Sequence, residues 1–224
     1  MRSSTEAPAK ALRTPRAAGI AGIISAITLG GAMALVHRAV PDHPVDAATW
    51  LANTEDRRAL RAALVLLPFG GIFFLWFMGA MRDFVGGRED RFFMTGFLGA
   101  GYLYVAMIFV FGATATAFLA TIDDVEHTSQ KIEFFHYGRH LTSSLLREYA
   151  PRMACVFALT TTTIGTRLGI LPRWLSWLGY VAGLVLLTLV SSVVWAEMVF
   201  PVWVLVLGGY LTVAHIRHEP AENG

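Results

Sequence analysis

Charge and cysteine are both scarce in this chain. Of its 224 residues, 15% are charged and 55% are hydrophobic, with a mean hydropathy of +0.54. A soluble domain is roughly 45–50% apolar and about 25% charged. The surplus of apolar residues is too large for one ordinary core and implies segments dissolved in lipid. The formal net charge of +2 gives a nucleic-acid partner no electrostatic support. The lone cysteine, Cys155, lies inside an apolar run, so an internal disulfide is excluded. Lysine is almost missing: Lys10 and Lys131 are the only two. That arginine bias, with abundant Ala, Gly and Val, suggests a GC-rich bacterial genome. Several reactive signatures are also missing: Gly-x-Ser-x-Gly, His-Glu-x-x-His, a P-loop, a paired-glutamate prenyl-protease motif and an Asp-rich prenyltransferase box.

What is present is a series of long apolar runs. A helix needs roughly 20 mostly apolar residues to cross the hydrocarbon. Six stretches meet this, at about 17–36, 62–81, 93–120, 153–171, 175–194 and 198–214. Their residues do not alternate in polarity, so none reads as a strand. The expectation is an all-α integral membrane bundle over 17–215. A basic tail at 1–16, disordered and cytoplasmic, precedes it, and a short cytoplasmic tail at 216–224 follows.

The first run, behind Arg2, Lys10, Arg13 and Arg16, has the look of a signal peptide. It is longer than a signal core, however, and repeats small residues at every fourth position: Ala18, Gly22, Ala26, Gly30 and Ala34. Such a flat face lets a neighbouring helix backbone approach closely, so the run reads as a retained span. Basic residues near the span ends place the N-terminus inside. On that reading Arg82, Arg88, Arg91, Arg167, Arg173 and Arg217 join the N-terminal four on the cytoplasmic side. The outer side then carries Arg38, Arg57, Arg58, Arg61, Lys131, Arg139, Arg147 and Arg152. Trp174 and Trp177 mark the inner edge of the fifth span and Trp195 its outer edge.

The stretch "REYAPRMACVFALTTTTIGTRLGILPRW" opens the fourth span. Pro151 suits a first helical turn, and Arg152 belongs at the outer rim, because an arginine at the bilayer centre costs about 2.5–3.5 kcal/mol. Thr160 to Thr163 point to all sides of one turn, and each can bond back to a carbonyl one turn earlier. Gly165 and Gly169 add a small flank for helix packing. The sharper alternative is a hydrated path along Thr162 and Thr166. Glu197, at the same outer depth as Arg152, is its candidate ion-pair partner. Pro68, Gly70 and Gly71 in the second span and Pro201 in the sixth would kink or interrupt those helices.

The segment "DDVEHTSQKIEFFHYGRHLTSSLLREYA" before the fourth span reads as an amphipathic helix on the outer surface. His136, His140, Ser143 and Arg147 share one face, flanked by Glu133 and Arg139. Phe134, Leu141, Leu145 and Tyr149 lie opposite. The polar face admits three readings. It is a solvated interfacial surface, a site for an anionic ligand or lipid headgroup on His136, Arg139, His140 and Arg147, or a metal site on Glu133, His136 and His140. Two neighbouring arginines oppose a cation, and His37, His43, His127, His215 and His218 form no further histidine box. No histidine sits mid-span to hold haem. No cofactor is expected.

The run from Arg152, "RMACVFALTTTTIGTRLGILPRWLSWLGY", followed by "FPVWVLVLGG", resembles a group of uncharacterised actinobacterial integral membrane proteins. In these an Arg-Met start, a Thr-rich run and a Leu-Pro-Arg-Trp-Leu turn recur. They are similar to a broader bacterial membrane family of unknown function with about six spans. The resemblance covers roughly 17–215. It implies the architecture and an inner-membrane location, and brings no reaction or site residue.

The leading expectation is a non-enzymatic membrane component, either a partner-binding subunit or a lipid-interacting accessory protein. Its partners would be the bilayer and other membrane proteins. A small transporter or channel, with a groove near Pro68, Thr162 and Pro201, is the alternative. A metal- or haem-dependent oxidoreductase using His136 and His140 is the third reading.

Overall fold

A computed structural model of the chain describes residues 14–40, 49–50, 53–86, 91–124, 128–190, 192–193 and 195–216. Of the tails expected at 1–16 and 216–224, residues 1–13 and 217–224 lie outside them, while 14–16 and Ile216 belong to the first and last helices. Among the described residues every regular element is helical. In chain order these are α1 (Thr14–Ala39), α2 (Thr54–Val85), α3 (Arg91–Asp124), α4 (Thr128–Ser144), α5 (Ala150–Arg167), α6 (Arg173–Thr188) and α7 (Val199–Ile216). A π-turn, Leu145–Tyr149, joins α4 to α5, and a 3-10 turn, Ala196–Met198, leads into α7. Four helical stretches are long and apolar enough to cross a membrane: Arg16–Ala39, Thr54–Val85, Arg91–Ile122 and Ala196–Ala214. Arg173–Thr188 is a shorter apolar helix. These features describe a multi-pass, all-helical membrane protein.

Asn53 begins α2 by accepting hydrogen bonds from the backbone N–H groups of Glu55 and Asp56, which satisfies donors that no helical carbonyl can reach. α1 and α2, α2 and α3, and α5 and α6 run antiparallel, as the contacts between them show. α1 lies between α2 and α7. α3 packs on α2 and α5, and α6 packs on α5 with a lighter contact to α7. The small-residue face of α1 is used within the chain. A Cβ on Gly22 would lie 3.0 Å from the Phe77 ring and 3.6 Å from Gly208, and one on Gly30 would lie 3.5 Å from Pro201. Ala26 is buried between them, and on the α2 side Ser25 donates to the Gly70 carbonyl at 3.0 Å.

The centre of the bundle is filled by aromatic rings. Phe157 of α5 is fully buried, with ring centroids 5.0 Å from Phe74, 4.9 Å from Phe97, 6.0 Å from Phe200 and 6.3 Å from Trp203. Rings contributed by α2, α3, α5 and α7 thus close the axis with offset and edge-to-face contacts.

The four consecutive threonines serve the α5–α6 hairpin. Thr160, Thr161 and Thr163 donate to carbonyls one turn earlier. Thr162 differs from the expectation that all four bond back, because its Oγ1 has no hydrogen-bond partner. Its side chain fills the space that a side chain at Gly179 would need. Thr166 meets Ser176 at 2.8 Å, oxygen to oxygen, across the same seam. Gly165 lies under the Leu171 side chain as a packing glycine. Gly169 is not one: at φ 68° it ends the helix, with its N–H donating to Thr166 and the Ile170 N–H to Gly165. Pro201 falls in the first turn of α7 and interrupts nothing, whereas Pro68 sits inside an unbroken α2.

Candidate functional site

α4, the π-turn and α5 have right-handed helical backbone at both junctions and form one helix, of 17, 5 and 18 residues in its three parts. At 1.5 Å per residue it is about 60 Å long. It lies antiparallel along α3, with Gly96 facing Thr160 near one end and Gly138 facing Phe118 near the other. The amphipathic segment expected as a separate surface helix is therefore an extension of the helix that carries the fourth apolar run. Pro151 supplies the local reason for the π-turn. It has no N–H for the Arg147 carbonyl, and its ring would collide with that carbonyl in a regular helix. The helix widens instead, and the Ala150 N–H reaches back to the Leu145 carbonyl. Such single π-turns are frequent at functional sites.

At this end of the bundle a cavity of about 410 Å³ lies between α1, α2, α3 and the α4 extension. Trp50, Phe111, Phe118, Phe135 and Leu146 form its apolar wall. Trp50 is anchored by its indole N–H, which donates to the Ala39 carbonyl at 2.6 Å, and its ring packs 5.1 Å from Phe135. His136, Arg139, His140, Ser143 and Arg147 form the polar wall. The predicted ligand residues are thus brought together, in a different orientation from the one expected. The face of closest approach is centred on Gly138, where the Phe118 ring lies against the helix backbone. Phe135, Gly138 and Leu146 are consequently buried, while Leu141 and Tyr149, assigned to the packing face, are 38% and 57% exposed. The side chain of Phe134 lies outside the described residues.

The metal trio does not form. Glu133, His136 and His140 are all described, and no cluster of three His, Cys, Asp or Glu side chains suited to a metal occurs among the described residues. His43, His127 and His218 lie outside them, as does the side chain of His215.

The rim ion pair is also different. Arg152 is exposed and donates to the Glu148 carbonyl on its own helix. Glu197 turns inward instead. Its Oε1 lies 3.1 Å from Nε2 of His37, and each side chain is only 3% exposed. The reason is the early end of α6 at Thr188. The chain then turns through Trp195, at φ 73°, which stacks its ring on His37 at 4.3 Å and aims Glu197 at the end of α1. A left-handed conformation in so bulky a residue costs on the order of 1–3 kcal/mol and persists only where its surroundings hold it. His37 also lines the cavity. Sequence reasoning placed His37 at a span end and Glu197 at a rim. It missed the pairing, because nothing local marks two residues so far apart as neighbours.

A second, shallower groove of about 530 Å³ lies along the α2–α3 seam. Leu64, Leu67, Pro68, Ile108, Gly112 and Thr116 are among its lining. Of the three places where a transporter's groove was expected, only Pro68 borders this space. Thr162 and Pro201 are buried in helix contacts.

No protein-family model matches the chain, and neither does any curated protein or solved structure.

Proposed function

We propose that this chain is a non-enzymatic, six-span protein of the bacterial inner membrane, with both termini cytoplasmic, that binds an anionic amphiphile at its outer end. The helices carrying the fourth and fifth apolar runs are the two added to the four long spans. Their antiparallel hairpin, and the alternation of all the helices, support counting them as crossings.

The observation that carries the binding reading is the two-sided cavity. Its volume falls within the roughly 300–1,000 Å³ common for ligand sites. One wall is aromatic and aliphatic. The other presents two imidazoles and two guanidiniums from a single helix, the residue types that recognise carboxylate or phosphate. The aromatic fill around Phe157 weighs against a continuous pore and favours a binding protein over a channel.

The test is native mass spectrometry of the protein released from nanodiscs of mixed phosphatidylglycerol and phosphatidylcholine. Wild type is expected to retain phosphatidylglycerol in preference. His136→Gln/Arg147→Gln should reduce that preference by at least about tenfold, since one charge-assisted hydrogen bond alone carries that much. Equal retention of the two lipids by wild type would refute the reading.

A further inference from the structure

The cavity and the α2–α3 groove are lined by neighbouring residues of the same two helices. Leu60 lines the cavity, and Leu64 and Leu67 line the groove one and two turns along the same ridge of α2. On α3, Phe111 and Ala115 line the cavity, and Ile108 on the same ridge lines the groove. The two spaces therefore adjoin on the α2–α3 seam: the groove lies further along α2, and on α3 it lies beside the cavity on the neighbouring face.

That seam is bordered by residues that face outward. Val65 and Phe69 on α2 are 64% and 55% exposed, and Val110 on α3 is 49% exposed. All lie within helices apolar enough to cross the membrane, so acyl chains are the medium they meet. The one hydroxyl lining the groove, Thr116, already donates to the Gly112 carbonyl at 2.8 Å, so it has no free donor for a ligand. Gly112 lies on the groove, and a Cβ there would meet nothing within 4 Å. Nearer the other end of the seam the helices do touch, where Gly71 faces the Phe109 ring.

We infer that the groove is a lateral doorway and tail slot, and that the occupant is a bilayer lipid. Its anionic headgroup lies against the polar wall of α4, while an acyl chain leaves along the α2–α3 seam. This rests on the binding reading above and adds the source of the ligand: it comes from the membrane and not from water. An amphiphile drawn from a leaflet keeps its chain in an apolar medium throughout, so no hydrocarbon has to cross water to reach the site.

The experiment compares wild type, Gly112→Phe and Gly99→Phe in the same phosphatidylglycerol nanodiscs. Gly112→Phe fills the groove, while Gly99→Phe places the same ring at another open position on α3, outside the groove. Wild type and Gly99→Phe are expected to retain phosphatidylglycerol, and Gly112→Phe to lose at least about tenfold of that retention. A phosphatidylglycerol carrying a diazirine in mid-chain, applied to wild type, should label peptides from 108 to 116. This arm stands even if the Phe variant fails to fold. If Gly112→Phe retains the lipid and the photoprobe misses this segment, the doorway is overturned. Glycerol phosphate, which has no tail, separates the two readings. Wild type binding it as tightly as the lipid overturns the doorway and leaves the cavity reading standing, whereas retention of neither probe overturns both.

Discussion

His37 and Glu197, one from the end of the first helix and the other from the turn before the last, meet at 3.1 Å in a site where both side chains are almost wholly buried. Nδ1 of His37 faces the Met33 carbonyl at 3.2 Å and must carry a proton to bond it. Nε2 then faces a carboxylate. Buried away from water, each of these groups has the other as its polar neighbour, and removing one would leave the other uncompensated. Glu197→Gln keeps a donor facing Nε2 and should fold with a melting temperature near wild type. Glu197→Ala removes one partner of a buried pair and should cost about 3–5 kcal/mol. Thermal unfolding in detergent distinguishes them. Equal melting temperatures for Gln and Ala would show that the pair contributes nothing.

The approach of α1 to α7 depends on backbone meeting backbone. A Cβ on Gly208 would lie 2.8 Å from the Gly19 carbonyl oxygen and 3.1 Å from the Ile23 nitrogen, neither of which can swing aside. Next to it, Gly209 meets nothing within 4 Å. Gly208→Ala should therefore destabilise the protein by about 1–3 kcal/mol, while Gly209→Ala should be neutral or slightly stabilising. A similar loss in both variants would contradict this contact.

Pro151 separates stability from binding. Replacing it with Ala removes the ring that forces the helix to widen and up to about 3 kcal/mol of proline penalty. The π-turn would then relax towards regular helix and rotate α4 relative to α5. Pro151→Ala is expected to melt at or above the wild-type temperature, yet to lose most of its preference for phosphatidylglycerol. Unchanged lipid preference would show that the π-turn does not set the polar wall.

Orientation is open to direct labelling. In a Cys155→Ala background, Asp56→Cys at the start of α2 should react with a membrane-impermeant thiol reagent on intact cells. Asp83→Cys, at its end, should react only after lysis. Asp56 is half-buried at the helix start and Asp83 is exposed. The reverse pattern would invert the proposed topology and put the cavity inside the cell.

Much of this architecture is legible in the sequence, because lipid allows so few solutions. Long apolar runs must be helices, and Gly22, Ala26 and Gly30 of α1 do pack within the bundle, though the close backbone contact falls at Gly19, outside that repeat. What failed depended on long-range or local steric detail. The amphipathic helix was assigned its buried face by hydrophobicity, but Gly138 allowed the Phe118 ring to sit directly on the backbone and turned the histidines and arginines towards Trp50. Gly169 looked like a second packing glycine until its positive φ showed it to be a terminator. Arg152 looked like the partner of Glu197 because the two share a depth. That depth is equally available to His37, and only the turn through Trp195 decides between them.

The central claim is that the cavity holds the headgroup of an anionic lipid, and the most direct measurement is a high-resolution electron cryo-microscopy map of the full chain in phosphatidylglycerol nanodiscs. The expected result is phosphate density between Arg147 and the Trp50 wall, with chain density continuing down the α2–α3 seam past Gly112. Ordered lipid confined to the outer circumference of the bundle, with the cavity holding only water or protein side chains, would contradict it.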